Sequence, residues 1–151
     1  GLDALADPDG FDFSPDGRLL AAGKMDGSIT VREADTGKHL ATLKGHTNRV
    51  HCVTYTPDGR HLASSSRDQT VRLWSAGTGE PLLALPVAST VFTHDFSPDG
   101  KTLAYGDVRG VSLIPVDLSS LAADPASLLA TAQADAGMQL DGYELAPVGL
   151  P

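Results

Sequence analysis

The sequence predicts an all-β protein built from about three copies of one antiparallel unit of four strands. A turn phrase, Ser or Thr followed by Pro-Asp-Gly, recurs at Ser14, Thr56 and Ser97, so the copies are offset by 42 and then 41 residues. Between these phrases, short runs alternate between apolar and polar residues, which is typical of half-buried strands. A period of about 40 residues with this content indicates sheets that stack on one another.

The recurring phrase predicts a hairpin corner. Pro sets the backbone for a type I turn, the hydroxyl can bond to the turn backbone, and Gly supplies a positive φ. Segments rich in β-branched and aromatic residues flank each copy, as expected for strand, turn and strand. The alternative is a calcium loop using Asp16, Asp58 and Asp99, but such a loop needs several closely spaced oxygen ligands and each copy offers one Asp. We therefore interpret the phrase as a structural corner.

Two further strands follow each corner in the first two copies. The segments SITVREADTG (28–37) and TVRLWSAGTG (70–79) each alternate and end in a second turn closed by Gly. The segments HLATLK (39–44) and PLLALP (81–86) alternate again. One period therefore holds four short strands, and such a sheet cannot bury both faces unless neighbouring copies stack against it.

The middle copy, Gly45 to Gly79, closely resembles a WD40 repeat. It opens with Gly-His, keeps the apolar spacing of the first strand, and has Asp68 in its second turn and Trp74 at the end of its third strand. Ser75 stands where the family usually has Asp. The resemblance covers roughly Phe11 to Val116 and implies a β-propeller segment with four strands per blade. It also implies a rigid platform for protein partners and no enzyme activity.

The resemblance implies a buried hydrogen-bonded network in the middle copy, formed by His46, Ser64 (or Ser66), Asp68 and Trp74. A set of Ser, His and Asp also invites a catalytic interpretation. A hydrolase further needs an oxyanion hole and a pocket, and the family uses this set to stabilise the blade. We therefore predict a structural network.

The outer copies depart from this pattern. In the first copy, Arg32 stands where the middle copy has Trp74. In the third copy, Pro86-Val87 replaces the Gly-His pair and Ile114 replaces the Trp. Its second loop, Asp107 to Gly110, is one residue shorter, so we expect it to lack an equivalent of Asp68. Only the middle blade is predicted to build the network.

Equivalent loops predict a partner-binding face. In WD40 blades, the loop before the first strand and the loop joining the second and third strands share one face. The corresponding positions are Asp7, Arg49 and Thr90 in the first loop, and Met25, Arg67 and Val108 in the second. Arg and Met are enriched in interface cores, and both Arg residues are isolated positive charges in an acidic protein. We expect an acidic protein partner to contact Arg49 and Arg67, while solvated loop charges remain the alternative.

Composition argues against several other functions. Eleven basic and nineteen acidic residues give a net charge of −8, which disfavours nucleic acid and anionic membranes as partners. No apolar run of membrane-spanning length and no secretion signal is present, so we expect a soluble, cytoplasmic chain. The single Cys52 excludes an intrachain disulfide. The five histidines are not in ligand spacing, and nucleotide-binding and zinc-protease motifs are missing, so no metal or cofactor is predicted. His94, at a core position, is expected to be buried and hydrogen-bonded.

We place the repeats in residues 1–118 and an extension in residues 119–151. The repeat region divides into an outer strand at 1–6, blade one at 11–43, blade two at 49–85 and a three-stranded blade three at 90–117. The extension predicts a helix over 126–136, begun by Asp124-Pro125, and a small hairpin turning at 141–142. A disordered Ala-rich tail is the alternative.

Three blades are too few for a closed ring, since propellers have roughly four to eight. We therefore expect the C-terminal part of a larger propeller, completed by blades of the same parent protein or of another chain. At the open ends, Phe11, Val31, Leu103 and Leu113 are expected to be exposed. The predicted function is a non-catalytic protein-interaction scaffold. The alternative is a regulatory or sensor module of a bacterial signalling or defence enzyme, a kinase, NTPase or protease, whose catalytic domain lies outside this chain.

Overall fold

The computed structural model describes residues 9–119. They form three antiparallel sheets and contain no α-helix, which confirms the predicted all-β architecture. The strands are β1 (Phe11–Phe13), β2 (Leu19–Gly23), β3 (Ile29–Glu33), β4 (His39–Leu43), β5 (Val50–Tyr55), β6 (His61–Ser66), β7 (Thr70–Ser75), β8 (Pro81–Pro86), β9 (Thr93–Phe96), β10 (Thr102–Asp107) and β11 (Gly110–Pro115). The predicted outer strand, helix and hairpin, and Asp7, lie outside the described residues.

Each sheet pairs its strands in chain order. Blade one is β1-β2-β3-β4, blade two is β5-β6-β7-β8 and blade three is β9-β10-β11. Blade three ends at its third strand within the described part of the chain. Small register shifts interrupt the last strand pair of blades one and two, at Val31/Arg32 and Leu73/Trp74.

The recurring phrase forms the corner between the first two strands of each blade. In blade one, the Gly17 N–H donates to the Ser14 carbonyl at 2.7 Å, and Gly17 has a φ of 72°. The Ser14 hydroxyl donates to Asp16 Oδ1 at 2.6 Å, and this bond lowers the pKa of the Asp16 carboxyl. The carboxylate is therefore engaged within its own turn. Within residues 9–119, no group of three or more His, Cys, Asp or Glu side chains is placed to hold a metal ion.

Two apolar clusters hold the blades together, one on each face of blade two. Between blades one and two lie Ala21, Ile29, Val31, Leu43, Val50, Val53, Tyr55, Leu62 and Trp74. Between blades two and three lie Ala63, Val71, Leu73, Leu83, Leu85, Val87, Val91, Phe96, Leu103, Tyr105 and Ile114. Blade two is therefore covered on both faces, and blades one and three each bury one face against it.

The expected exposure at the two open ends is partly wrong. Phe11 is 62% exposed and Leu113 is half-buried, but Val31 and Leu103 are buried at 8% and 0%. Successive side chains of a strand point to opposite faces. The registers place Val31 and Leu103 on the faces that pack against blade two, and Phe11 on the opposite face of its sheet. The outer face of blade one also carries Phe13, which is 52% exposed.

Candidate functional site

His46, Ser64, Asp68 and Trp74 lie in one chain of hydrogen bonds, which we call the clasp. The Trp74 Nε1–H donates to Ser64 Oγ at 2.8 Å, and Ser64 Oγ lies 2.7 Å from His46 Nε2. His46 Nδ1 lies 2.8 Å from Asp68 Oδ2. Because a carboxylate only accepts, the His46 proton sits on Nδ1, and the Ser64 hydroxyl donates to Nε2. Burial lowers the pKa of His46, although Asp68 opposes this effect, so the ring is neutral at neutral pH.

The clasp is sealed from solvent. Ser64 and Trp74 are 0% exposed, and so is the His46 side chain. A Cβ on Gly45 would lie 2.9 Å from Trp74 Cη2, so the residue before His46 has to be glycine for this packing. Ser64 Oγ is already engaged by two ring nitrogens in a site without access for a substrate. The arrangement therefore stabilises blade two.

Ser66, the other serine considered for the network, has a different role. Its hydroxyl donates to the Asn48 carbonyl at 2.9 Å and accepts the Asp68 N–H at 3.0 Å. Asp68 also accepts the Thr47 N–H at 3.1 Å and the Thr70 hydroxyl at 2.6 Å. These bonds fix the leading loop of blade two (44–49) against its middle loop (67–69). The clasp thus orders two loops on one face of the molecule.

On that face, three basic side chains form what we call the basic cluster: Arg49, His51 and Arg67. The Arg67 N–H donates to the Arg49 carbonyl at 2.9 Å, which joins the two loops. Burial lowers the pKa of His51, and the positive charges of Arg49 and Arg67 lower it further. The ring is therefore neutral at neutral pH, and the two arginines supply the positive charge.

Arg49 is not isolated, contrary to the sequence prediction. Its guanidinium forms an ion pair with Asp9, which lies 40 residues earlier in the chain. His51 Nδ1 lies 3.6 Å from Asp9 Oδ2. Arg67 is exposed, and its guanidinium has no ion-pair partner within residues 9–119.

Apolar side chains lie in the equivalent loops of the other blades. Met25, in the loop between β2 and β3, is 55% exposed, and Val108, between β10 and β11, is 75% exposed. Thr90 is half-buried before β9. Phe92 is 51% exposed and packs on the His51 ring, with 5.7 Å between ring centroids. Phe92 was not predicted from the sequence, although it lies 41 residues after His51 and is therefore its repeat equivalent.

In blade three, Asp107 occupies the repeat position of Ser66, at the end of the second strand. Like Ser66 in blade two, it bonds to the loop before the first strand of its blade. Asp107 Oδ2 accepts the Ser89 hydroxyl at 2.7 Å and so ties the loop before β9 to the loop between β10 and β11. Asp107 is the last residue of β10, as Ser66 is the last residue of β6.

His94 lies in β9 at the repeat position of Val53 and faces blade two. It is 4% exposed, and its Nδ1 lies 3.1 Å from the Ser65 hydroxyl in β6. Burial lowers its pKa to about 4. A neutral histidine is therefore part of the interface between blades two and three.

Comparison with known proteins gives the following likenesses. Residues 7–32 and 37–75 match the family described as WD domain, G-beta repeat. An uncharacterised WD repeat-containing protein of Nostoc sp. (strain PCC 7120) is 51% identical over 39 residues, which are 26% of this chain and 3% of that protein. The crystal structure of the β-propeller domain of Cps50 from Myceliophteria thermophila superposes with a TM-score of 0.67 at 21% identity, over 72% of this chain and 36% of that one. The chain thus spans about a third of the propeller domain and a small part of the curated relative. No helix among the described residues is long and apolar enough to cross a membrane.

Proposed function

We propose that this chain, in which residues 7–32 and 37–75 match the WD domain, G-beta repeat family, is a non-catalytic scaffold that binds an acidic protein partner through the basic cluster. WD40 propellers generally serve protein–protein interaction. The acidic partner and the residues that contact it are the new elements of the proposal.

One observation carries it: the 2.9 Å bond between the Arg67 N–H and the Arg49 carbonyl. This bond holds two arginines side by side on loops that the clasp has already fixed. In a chain with a net charge of −8, two adjacent arginines on ordered loops favour an acidic partner. Exposed Met25 and Phe92 nearby would supply the apolar contact area that interface cores need.

The partner face is tested by charge reversal. The double variant R49E/R67E should weaken binding of a fluorescein-labelled peptide, Gly-Glu-Phe-Glu-Gly, by about tenfold or more, since two attractive charges become repulsive. The control R18E/R60E makes the same net change at two exposed arginines in the hairpin corners, and it should bind nearly as well as the wild type. Fluorescence anisotropy at two salt concentrations measures both. Equal losses in the two variants would place the site elsewhere.

We also propose that further blades, from the same parent protein or from another chain, complete the ring. The exposed aromatic side chains on the outer face of blade one, Phe11 and Phe13, support this. Exposed apolar faces are uncommon on isolated soluble proteins. Light scattering of the chain tests it: a well-folded monomer with a single sharp thermal transition would contradict the need for further blades.

A further inference from the structure

We propose that Arg49 and His51 form a carboxylate-binding cradle that Asp9 occupies in the unbound chain, and that an aspartate or glutamate of a partner displaces Asp9. The inference rests on the proposed function. It adds the chemical group that the basic cluster recognises and a competitor for that group within the chain itself.

The geometry of the Asp9 carboxylate carries the first step. Arg49 Nη2 donates to Asp9 Oδ1, and Arg49 Nε lies against Oδ2 in the ion pair, so the guanidinium and the carboxylate face each other side by side. This fork matches a carboxylate in shape as well as in charge, which a lysine could not do. His51 Nδ1 lies 3.6 Å from the same Oδ2 and closes the side of the cradle. Asp9 therefore shows directly that the cradle accepts a carboxylate.

Asp9 is weakly held. Within residues 9–119, its side-chain oxygens form no hydrogen bond or ion pair with any group other than Arg49 and His51, and the side chains of Asp9 and Arg49 are 18% and 34% exposed. A partly exposed ion pair contributes little net stability, since solvent screens it. Replacement of Asp9 by another carboxylate should therefore cost little free energy.

An incoming acid gains contacts that Asp9 does not make. Arg67 is exposed and has no ion-pair partner in the described part of the chain, yet its backbone is bonded to that of Arg49. A partner with two acidic side chains can place one in the cradle and one against Arg67. Phe92, which is half exposed and packs on the His51 ring, offers an apolar surface to the residue between the two acids. The expected ligand is an acidic segment with an aromatic or aliphatic residue.

Acetate tests the cradle without any protein partner. In the variant Asp9→Asn, which removes the resident charge and keeps the side-chain shape, acetate should shift the NMR signal of the Arg49 Nε–H in a saturable way at constant ionic strength. The wild type should need about threefold to tenfold more acetate, because an intramolecular carboxylate competes. The control Asp35→Asn makes the same charge change at an exposed acid of blade one and should titrate like the wild type. Thermal melting checks that each variant is folded.

The variant D9N/R49K sharpens the result. Lysine keeps the positive charge and loses the fork, so the acetate-dependent shift of the His51 ring signals should disappear in this variant. If D9N shows no saturable shift, or titrates at the same acetate concentration as the wild type and D35N, the cradle is wrong.

The Glu-Phe-Glu peptide separates this inference from the proposed function. Tighter peptide binding by D9N than by D35N supports both. Peptide binding that is equal in D9N, D35N and the wild type overturns the competition by Asp9 and leaves the acidic-partner proposal standing. A saturable acetate shift without any peptide binding supports the cradle and contradicts the proposed function.

Discussion

Blade two has polar, hydrogen-bonded side chains at two core positions where blade three has apolar ones. In blade two, Trp74 and His46 are linked through a buried serine. In blade three, Ile114 and Val87 stand at those positions, 1% and 5% exposed, and pack as ordinary apolar side chains. Both sheets keep the same antiparallel order. A polar network is therefore not needed to form a blade, since well-packed apolar groups can replace it.

The difference lies in how the loops are held. In blade two, one network both fills the core and ties the leading loop to the middle loop through Asp68. Blade three divides these tasks, because apolar residues fill the core and a separate pair, Ser89 and Asp107, ties the loops. Loss of one group should therefore have a larger effect in blade two than in blade three.

The largest effect is expected from Trp74→Ala. It removes the largest fully buried side chain and leaves Ser64 without its indole donor, so the free energy of unfolding should fall by about 3–5 kcal/mol. At the equivalent site of blade three, Ile114→Val should cost about 1 kcal/mol. Urea denaturation measures both. Comparable losses would mean that the indole is not the centre of the core between blades one and two.

Asp68→Ala removes the carboxylate that joins the buried network of the clasp to the leading loop of blade two. Four donors lose their acceptor: His46 Nδ1, the Thr47 N–H, and the N–H and hydroxyl of Thr70. Buried donors without partners are costly, and we expect a loss of about 2–3 kcal/mol. Asp26→Ala is the matched control, because within residues 9–119 Asp26 accepts hydrogen bonds only from Ser28, in its own turn. Equal shifts of the melting temperature would show that the clasp adds nothing beyond a turn.

The fold could be predicted from the sequence because its signals are local. The corner at Ser14 to Gly17 depends on four neighbouring residues, and Pro, Asp and Gly specify it wherever they recur. The period then gives the number of strands per sheet. The clasp at His46 and Asp68 came from a family resemblance, since four residues separated by up to 28 positions carry no local signal.

The remaining contacts depend on how neighbouring blades pack against each other. The repeat period of the sequence carries no information about this packing. Asp9 meets Arg49 and Phe92 meets His51 only because the first strands of successive blades lie side by side. The bond between Ser89 and Asp107 likewise joins residues that are 18 positions apart, and no local signal in the sequence predicts it. The face of the sheet on which Val31 lies follows from the strand register. The predicted exposure of Val31 at the open end of blade one did not include this register.

Blade three has its own buried histidine, and pH variation tests it. His94 has an ordinary pKa of 6.5 when unfolded and about 4 when folded, so the unfolded chain binds the proton more tightly. Stability is therefore complete at neutral pH and is lost as the pH falls from about 6.5 towards 4. His94→Val, which installs the residue that blade two has at this position, should remove about 2 kcal/mol of the stability change between pH 7 and pH 5. Other buried groups titrate in both proteins, so the difference between them isolates His94. If the two pH profiles are parallel, His94 does not remain neutral in the folded chain.

The smallest effect is expected from Ser89→Ala, which breaks the loop tie of blade three. The Ser89 hydroxyl donates one bond to Asp107, and Arg109 also pairs with that carboxylate at 3.0 Å. Because Asp107 keeps this second partner and the core beneath is apolar, the loss should be about 1 kcal/mol. Amide exchange should quicken in residues 87–92 while the β10–β11 pair stays protected. A loss as large as that of Asp68→Ala would show that blade three depends on its loop tie as strongly as blade two depends on the clasp.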